Sequence, residues 1–105
     1  MRGRIKPQEG MNKTEAAYSR HLEARKFARE VLWFAFEPIK IKLAKATFYT
    51  PDFLVMRADG TLEVHETKGN WEDDARVKIK VAAELFPAQF IGVRLIKGAW
   101  EYEYF

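Results

Sequence analysis

Residues 51–69 read PDFLVMRADGTLEVHETKG, which is two short apolar runs separated by Ala58-Asp59-Gly60. Glycine readily adopts the left-handed conformation that closes a three-residue hairpin loop, and Gly60 stands at that position. Short apolar runs that flank such a loop are typical of paired strands. The stretch is therefore predicted to form a β-hairpin.

The register of this hairpin decides which polar side chains meet. Pairing of Arg57 with Thr61 places Asp52 opposite Glu66, and because side chains alternate between faces, Glu66 and Lys68 then share the face of Asp52. The apolar residues predicted for that face are Leu54, Met56, Leu62 and Val64. A two-residue loop would instead shift the pairing by one residue and turn the two acids to different faces. The interpretation of the site depends on the three-residue loop.

The length and composition indicate one folded domain. The chain has 105 residues, of which 48% are apolar, which is enough for a single core. Residues 1–10 are basic and punctuated by glycine and proline, so we predict a flexible arm there and one domain over residues 11–105. No apolar run approaches the ~20 residues that span a bilayer, and the N-terminus lacks a hydrophobic signal core. A cytoplasmic protein without a membrane partner is expected.

The absence of cysteine narrows the metal chemistry. A chain without cysteine has no disulfide, no thiolate metal site and no thiol nucleophile. Oxygen ligands remain for holding a metal, and they select hard cations. Any bound metal is therefore expected to be a hard cation.

The net charge of +3 is divided unevenly between the two halves of the chain. Residues 1–50 carry 11 Lys and Arg against 5 Asp and Glu, whereas residues 51–105 carry 7 against 10. A basic half and an acidic half suit a protein that holds a polyanion with one part and uses carboxylates in the other. Modest basicity is also common among proteins without a nucleic-acid partner.

A first helix is predicted to start after Asn12, with Glu15 three residues later as in a capping box, and to run to about Leu32. Its predicted buried stripe is Ala17, His21, Ala24, Ala28 and Val31. Glu15 has two interpretations, as a capping residue or as a carboxylate that reaches toward a site. His21 is interpreted as a packing residue, because no second histidine stands at metal-ligand spacing.

Strands are predicted over residues 33–36 and 39–43, separated by Pro38. Lys40 and Lys42 project to one face of the second run, and together with Lys45 they form a small basic row. This row either follows a phosphate backbone or keeps an outer sheet face soluble. The sequence alone does not decide between these roles.

A second helix is predicted from Trp71 to Phe86, with Asn70 as its N-cap and Pro87 as its end. Strands are predicted after it over residues 90–96 and 100–104. The helix carries three cations, Arg76, Lys78 and Lys80. Lys78 borders the predicted buried stripe, whereas Arg76 and Lys80 lie four residues apart on the outer side, where a surface ion pair of Glu72 with Arg76 is the simpler role.

The Pro-Asp and Glu-x-Lys of the paired strands, set between two helices, resemble the PD-(D/E)XK nucleases. The matching residues are Pro51-Asp52, thirteen intervening residues, then Glu66-Thr67-Lys68, with Glu15 in the preceding helix. From Met11 onward the chain also resembles small phage and prophage proteins, and its pattern is similar to the small phage and archaeal Holliday-junction endonucleases. The resemblance implies an α/β domain in the host cytoplasm. Its expected core is an αβββαβ arrangement, a central mixed sheet of roughly four to five strands flanked by two helices.

This resemblance implies catalytic roles for Asp52, Glu66 and Lys68, and less directly for Glu15. The two strand carboxylates are expected to bind Mg²⁺ or Mn²⁺ together with the backbone carbonyl of Thr67, and Glu15 to bind a second metal or the first through water. Lys68 is expected to orient the attacking water or to stabilise charge on the phosphate. The expected partner is DNA, bound through Lys40, Lys42, Lys45, Arg76, Lys78 and Lys80.

Two other classes of function fit the same sequence. One is a binding module with a nuclease-like fold that holds DNA or a protein without cutting it. The other is a structural dimer formed through the aromatic C-terminal strand. A homodimer is also compatible with a nuclease, and is expected for a resolvase that cuts two strands symmetrically. Metal-dependent turnover separates the nuclease from both alternatives.

Overall fold

A computed structural model describes residues 10–69 and 73–105. The predicted basic arm lies outside these residues except for Gly10, as do the predicted cap Asn70 and the start of the second helix at Trp71. The helices and strands are α1 (Lys13–Phe27), β1 (Val31–Phe36), β2 (Ile41–Ala44), β3 (Thr47–Tyr49), β4 (Phe53–Arg57), β5 (Leu62–Thr67), α2 (Asp73–Leu85), β6 (Gln89–Ile96) and β7 (Ala99–Tyr104).

Five strands form a mixed sheet in the order β1-β4-β5-β6-β7. Strands β5 and β6 are parallel and are connected through α2, whereas the other neighbouring pairs are antiparallel. Strands β2 and β3 form a separate two-stranded sheet, which we call the β2–β3 hairpin. Without that hairpin and the edge strand β7, the order of elements is αβββαβ. The predicted α/β fold is confirmed.

The β4–β5 hairpin has the three-residue register predicted from the sequence. Phe53 pairs with His65 and Leu54 with Val64. The N–H of Arg57 donates to the carbonyl of Thr61 at 2.8 Å. Gly60 has a φ of 88°, the left-handed conformation expected where the loop closes. Asp52 and Glu66 therefore come from directly opposite positions on two neighbouring strands.

Successive side chains of the central strands point to opposite faces of the sheet and pack into two separate hydrophobic cores. Phe53 and Val55 pack with Tyr18 and Leu22 of α1 on one face. On the other face, Leu54 and Val64 pack with Ile79 and Ala82 of α2 and with Ile41 and Tyr49 of the β2–β3 hairpin. We refer to these as the α1 face and the α2 face. Asp52, Glu66 and Lys68 share the strand parity of Leu54 and Val64, which puts them on the α2 face.

The predicted extent and buried stripe of the first helix are wrong. Helix α1 ends at Phe27, the chain turns through Arg29 at a φ of 66°, and Val31 and Leu32 belong to β1. The buried residues are Ala16, Tyr18, Ser19 and Leu22, whereas Ala24 and Ala28 are exposed. Burying a large side chain removes more apolar surface from water than burying alanine, so Tyr18 and Leu22 set the orientation of the helix.

The segment before the central hairpin also differs from expectation. The predicted strand over residues 39–43 begins only at Ile41, and the chain then turns at Lys45 and Ala46 to return as β3. Ile41 and Tyr49 face inward, while their neighbours Lys42 and Phe48 face outward.

Within the described residues, no helix is both long and apolar enough to cross a membrane.

Candidate active site

Asp52 and Glu66 hold each other in place through the backbone. The N–H of Asp52 donates to Oε1 of Glu66 at 2.8 Å. In return, the N–H and the hydroxyl of Thr67 donate to Oδ2 of Asp52 at 2.9 and 2.8 Å. Both carboxylates are buried, at 6% and 7% exposure. Two acids on adjacent strands are thus fixed side by side, below the surface of the α2 face.

This arrangement disfavours ionisation of both acids. Burial, followed by the charge of Glu66, raises the pKa of Asp52 to about 7, although the hydrogen bonds from Thr67 act in the opposite direction. Burial also raises the pKa of Glu66, against the hydrogen bond from the Asp52 N–H and the charge of Lys68. A cation bound between the two carboxylates would relieve both the desolvation and the repulsion.

The oxygen atoms of the pair fit a hard cation. Oδ2 of Asp52 and Oε1 of Glu66 each accept a hydrogen bond from a backbone N–H group. Within residues 10–69 and 73–105, Oδ1 of Asp52 accepts no hydrogen bond, and Oε2 of Glu66 lies 3.6 Å from Nζ of half-exposed Lys68. In each acid, one carboxylate oxygen is held by a backbone N–H and the other is available to coordinate a cation. Such an arrangement of oxygen ligands suits Mg²⁺ or Mn²⁺.

The two carboxylates do not form a complete set of protein ligands by themselves. No three His, Asp or Glu side chains in the described part of the chain lie close enough together to hold a metal ion. The carbonyl of Thr67, predicted as a ligand, belongs to the residue that already clamps Asp52. Water or substrate oxygens would have to complete the coordination.

Glu15 is placed as the capping prediction requires. Its N–H donates to Oδ1 of Asn12 at 2.8 Å, and its Oε1 accepts from the N–H of Asn12 at 2.9 Å, which completes a capping box. Its negative charge also raises the pKa of Asp52, by less than burial and the charge of Glu66 do. Glu15 is thus a capping residue close enough to act electrostatically on the carboxylate pair.

A cleft of about 400 Å³ opens beside the carboxylates on the α2 face. Glu66 and Lys68 form one wall, the β2–β3 hairpin contributes Phe48 and Tyr49, and the N-terminal half of α2 contributes Lys78 among others. The side chain of Asp74 also lines this space. The cleft gives Glu66 an opening to solvent, with the ammonium groups of Lys68 and Lys78 among its walls, while Asp52 lies buried behind Glu66 and does not line it.

The predicted basic row lies on the outer side of the β2–β3 hairpin. Lys40 and Lys42 are exposed, and the Lys40 ammonium sits 4.9 Å from the centre of the Phe48 ring, which itself lines the cleft. Lys45 lies in the turn at the tip of the hairpin. The row therefore borders the entrance to the candidate site.

The three cations of α2 lie in different surroundings. Lys78 lines the cleft and Lys80 is exposed. Arg76 forms an ion pair with Glu103 of β7, so it links the helix to the edge of the sheet. Of the three helix cations predicted to contact DNA, Lys78 is the one that lines this cleft.

Three features of the site were missed from the sequence. The hydroxyl of Thr67 clamps Asp52, the ring of Tyr49 lines the cleft, and Arg94 occupies the position beside Lys68 on β6. The Nε of Arg94 is buried and has no hydrogen-bond partner among the described residues. Nothing in the sequence near these residues indicates their position, because each meets the site only through the pairing or packing of strands.

A larger cavity, of about 550 Å³, lies on the opposite face, against α1. Buried His65 on its floor is held by the hydroxyl of Tyr18 at Nδ1, at 2.6 Å, and donates from Nε2 to Glu63 at 2.8 Å. The hydrogen bond from His65 is the main cause that lowers the pKa of Glu63. At the rim, half-buried His21 packs on Trp100, as its predicted packing role requires. These polar groups have partners and join α1 to the sheet.

The comparisons with known proteins identify a family but no activity. Residues 5–103 match the family described as "Protein of unknown function (DUF1064)". No curated protein matches the chain, and no solved structure matches it either. Because the family match covers nearly the whole sequence, the chain belongs to the DUF1064 family.

Proposed function

We propose that this protein is a deoxyribonuclease of the cytoplasm that hydrolyses phosphodiester bonds with Mg²⁺ or Mn²⁺ held by Asp52 and Glu66. The observation that carries the proposal is the pair of buried carboxylates on adjacent strands, each with one oxygen fixed by a backbone N–H. Burying two acids together is unfavourable without a positive partner. Lys68 supplies only part of that charge, from 3.6 Å and half exposed.

The chemistry proposed for the site is addition of water to a phosphodiester. The water oxygen bonds to phosphorus and releases a proton to solvent, while the bond from phosphorus to the 3′ oxygen breaks and that oxygen takes up a proton from solvent, which leaves a 3′-hydroxyl and a 5′-phosphate. A bound divalent cation supplies polarisation of the phosphate and a lower pKa for water. Asp52 and Glu66 hold that cation in place. Lys68 orients the water or stabilises the negative charge on the phosphate as it grows.

The surroundings of the cleft support DNA as the substrate. Lys78 inside the cleft, together with Lys40 and Lys42 at its entrance, offers ammonium groups to a phosphate backbone. Contacts of this kind hold DNA without reading its sequence. Branched DNA such as a Holliday junction is the first substrate to test, because the chain resembles junction endonucleases.

The test compares cleavage by the parent protein and by isosteric variants. Branched, nicked, single-stranded and linear duplex DNA are each incubated with Mg²⁺, Mn²⁺ or EDTA. Asp52→Asn and Glu66→Gln keep the shape of the hairpin but remove the charge that holds the cation, so each is expected to abolish cleavage. Lys68→Met is expected to retain metal binding and to lose about 100-fold or more in rate, because its charge acts mainly in the transition state.

DNA binding in EDTA separates loss of chemistry from loss of fold. Without a cation the two carboxylates repel phosphate, so Asp52→Asn and Glu66→Gln are expected to bind DNA at least as tightly as the parent. Glu23→Gln, an exposed acid on α1, is the matched control and is expected to cut normally. If the parent cuts none of these DNAs, or if all three variants cut as well as the parent, the nuclease proposal is rejected in favour of a binding module.

A further inference from the structure

Tyr49 reaches the candidate site from outside the main sheet. It is the last residue of β3, and its ring is 7% exposed within the apolar core of the α2 face. Its partner Ile41 on β2 packs into the same core. The β2–β3 hairpin therefore fixes the position of this side chain from two strands.

The hydroxyl of Tyr49 is buried and lacks a normal hydrogen bond. Among the described residues it makes no hydrogen bond of ordinary geometry, but it lies close enough to Glu66 for a loose contact that lowers the pKa of that carboxyl. Burial and then the negative charge of Glu66 raise the pKa of this hydroxyl, so the group lies near that carboxylate. Buried tyrosine hydroxyls usually find a partner, because an unpaired buried polar group lowers stability. A phenylalanine would fill the same space without that penalty.

Glu66 is the acid for which such a donor is useful. Its Oε1 is held by the N–H of Asp52, and its Oε2 is near the Lys68 ammonium at 3.6 Å. A carboxylate that binds a cation needs its orientation fixed by neighbouring donors, since a freely rotating ligand must be ordered when the metal arrives. Tyr49 lines the same cleft as Glu66, and its side chain is buried in the core of the α2 face.

We propose that Tyr49 is a positioning residue whose hydroxyl orients Glu66 as a ligand of the divalent cation. This inference rests on the proposed metal site. In the metal-free protein the hydroxyl is buried without a hydrogen bond of ordinary geometry, so it adds little stability there, whereas it holds the orientation of Glu66 when the cation is bound. If Tyr49 served only to pack the core, removal of its hydroxyl would leave the affinity for the cation unchanged.

The test is Tyr49→Phe, measured without DNA. Isothermal titration with Mn²⁺ gives the metal affinity, and thermal unfolding in EDTA gives the metal-free stability. The variant is expected to bind Mn²⁺ roughly 10-fold more weakly, as is typical when a partner of a metal ligand is removed, with a metal-free Tm equal to or above that of the parent. Tyr104→Phe makes the same chemical change at an exposed position of β7 and is expected to alter neither quantity.

The possible outcomes show separately whether the role of Tyr49 and the nuclease activity are correct. Equal Mn²⁺ affinity in parent and variant, or a lower metal-free Tm in the variant, would make Tyr49 a packing residue and leave the nuclease proposal standing. A parent that binds Mn²⁺ but cuts no DNA would remove the nuclease activity while the role of Tyr49 is still tested by affinity. A parent that binds no Mn²⁺ would overturn both proposals together.

Discussion

At the scale of single residues, Asp52 is an acid whose titration is moved into the neutral pH range. Its pKa is raised to about 7 by burial and by Glu66, so the folded protein retains this proton to a higher pH than the unfolded chain does. Stability therefore falls as pH rises from about 4 to about 7, and the loss is complete above that window. Below about pH 4 the acid is protonated in both states and has no effect.

Asp52→Asn removes this titration while keeping the side-chain shape. In EDTA the variant is expected to be more stable than the parent at pH 8, by about 1 kcal/mol or more, which is roughly 4–8 °C in Tm for a small domain. The advantage is expected to shrink toward pH 4. Thermal unfolding followed by circular dichroism at the two pH values measures it. Parallel Tm curves for parent and variant across this range would contradict the raised pKa of Asp52.

Glu15 combines a structural contact with a charge near the site. Glu15→Gln keeps an oxygen that can accept from the N–H of Asn12, so the capping box survives and Tm is expected to change little. If the charge also serves the metal site, the cleavage rate is expected to fall by roughly 10-fold or more. Loss of stability with full cleavage would leave Glu15 with its capping role alone. Cleavage assays and thermal unfolding of the same preparation give both numbers.

At the scale of elements, the β4–β5 hairpin was predictable because its determinants are local. Gly60 selects the loop, the loop sets the register, and the register places Asp52 opposite Glu66. Strand alternation then assigns both acids to the face of Leu54 and Val64. This part of the site follows from residues that are near one another in the sequence.

The elements that were mispredicted depend on a turn without a sequence signal or on contacts between distant residues. Helix α1 ends where Arg29 adopts a left-handed turn, and Glu30 is fixed there by an ion pair with Arg25 at 3.1 Å. A non-glycine residue in that conformation has no clear sequence signal. Tyr49 and Arg94 were missed because they depend on distant contacts: the packing of the β2–β3 hairpin brings Tyr49 to Glu66, and the parallel pairing of β6 brings Arg94 beside Lys68.

At the scale of the whole molecule, the sheet separates two polar regions with different roles. On the α1 face, the side chains of Glu63, His65 and Tyr18 bond to one another and tie the helix down. On the α2 face, Asp52 and Glu66 keep oxygens available beside a cleft. A polyanion that reaches these acids must approach from the α2 face, past the β2–β3 hairpin.

This geometry allows a test of where DNA binds, with a control of equal charge. Lys40 and Lys42 are exposed at the cleft entrance, whereas Arg20 and Lys26 are exposed on α1, beyond the opposite face. Reversing either pair to glutamate changes the net charge by the same amount. A difference between the two double variants therefore reports the position of the charges and not their sum.

The Lys40→Glu/Lys42→Glu variant is expected to bind DNA at least about 10-fold more weakly than the parent. The slope of log affinity against log salt concentration is expected to decrease in magnitude by about two, because each lost phosphate contact removes roughly one from that slope. Fluorescence anisotropy in EDTA over about 50 to 200 mM salt measures both quantities. Mn²⁺ affinity is expected to persist, because neither lysine touches the acids. The Arg20→Glu/Lys26→Glu control is expected to keep the slope of the parent. Equal weakening in both variants would reduce the effect to overall charge, and an unchanged slope in the first would move the DNA-binding surface to the helix cations Arg76 and Lys80.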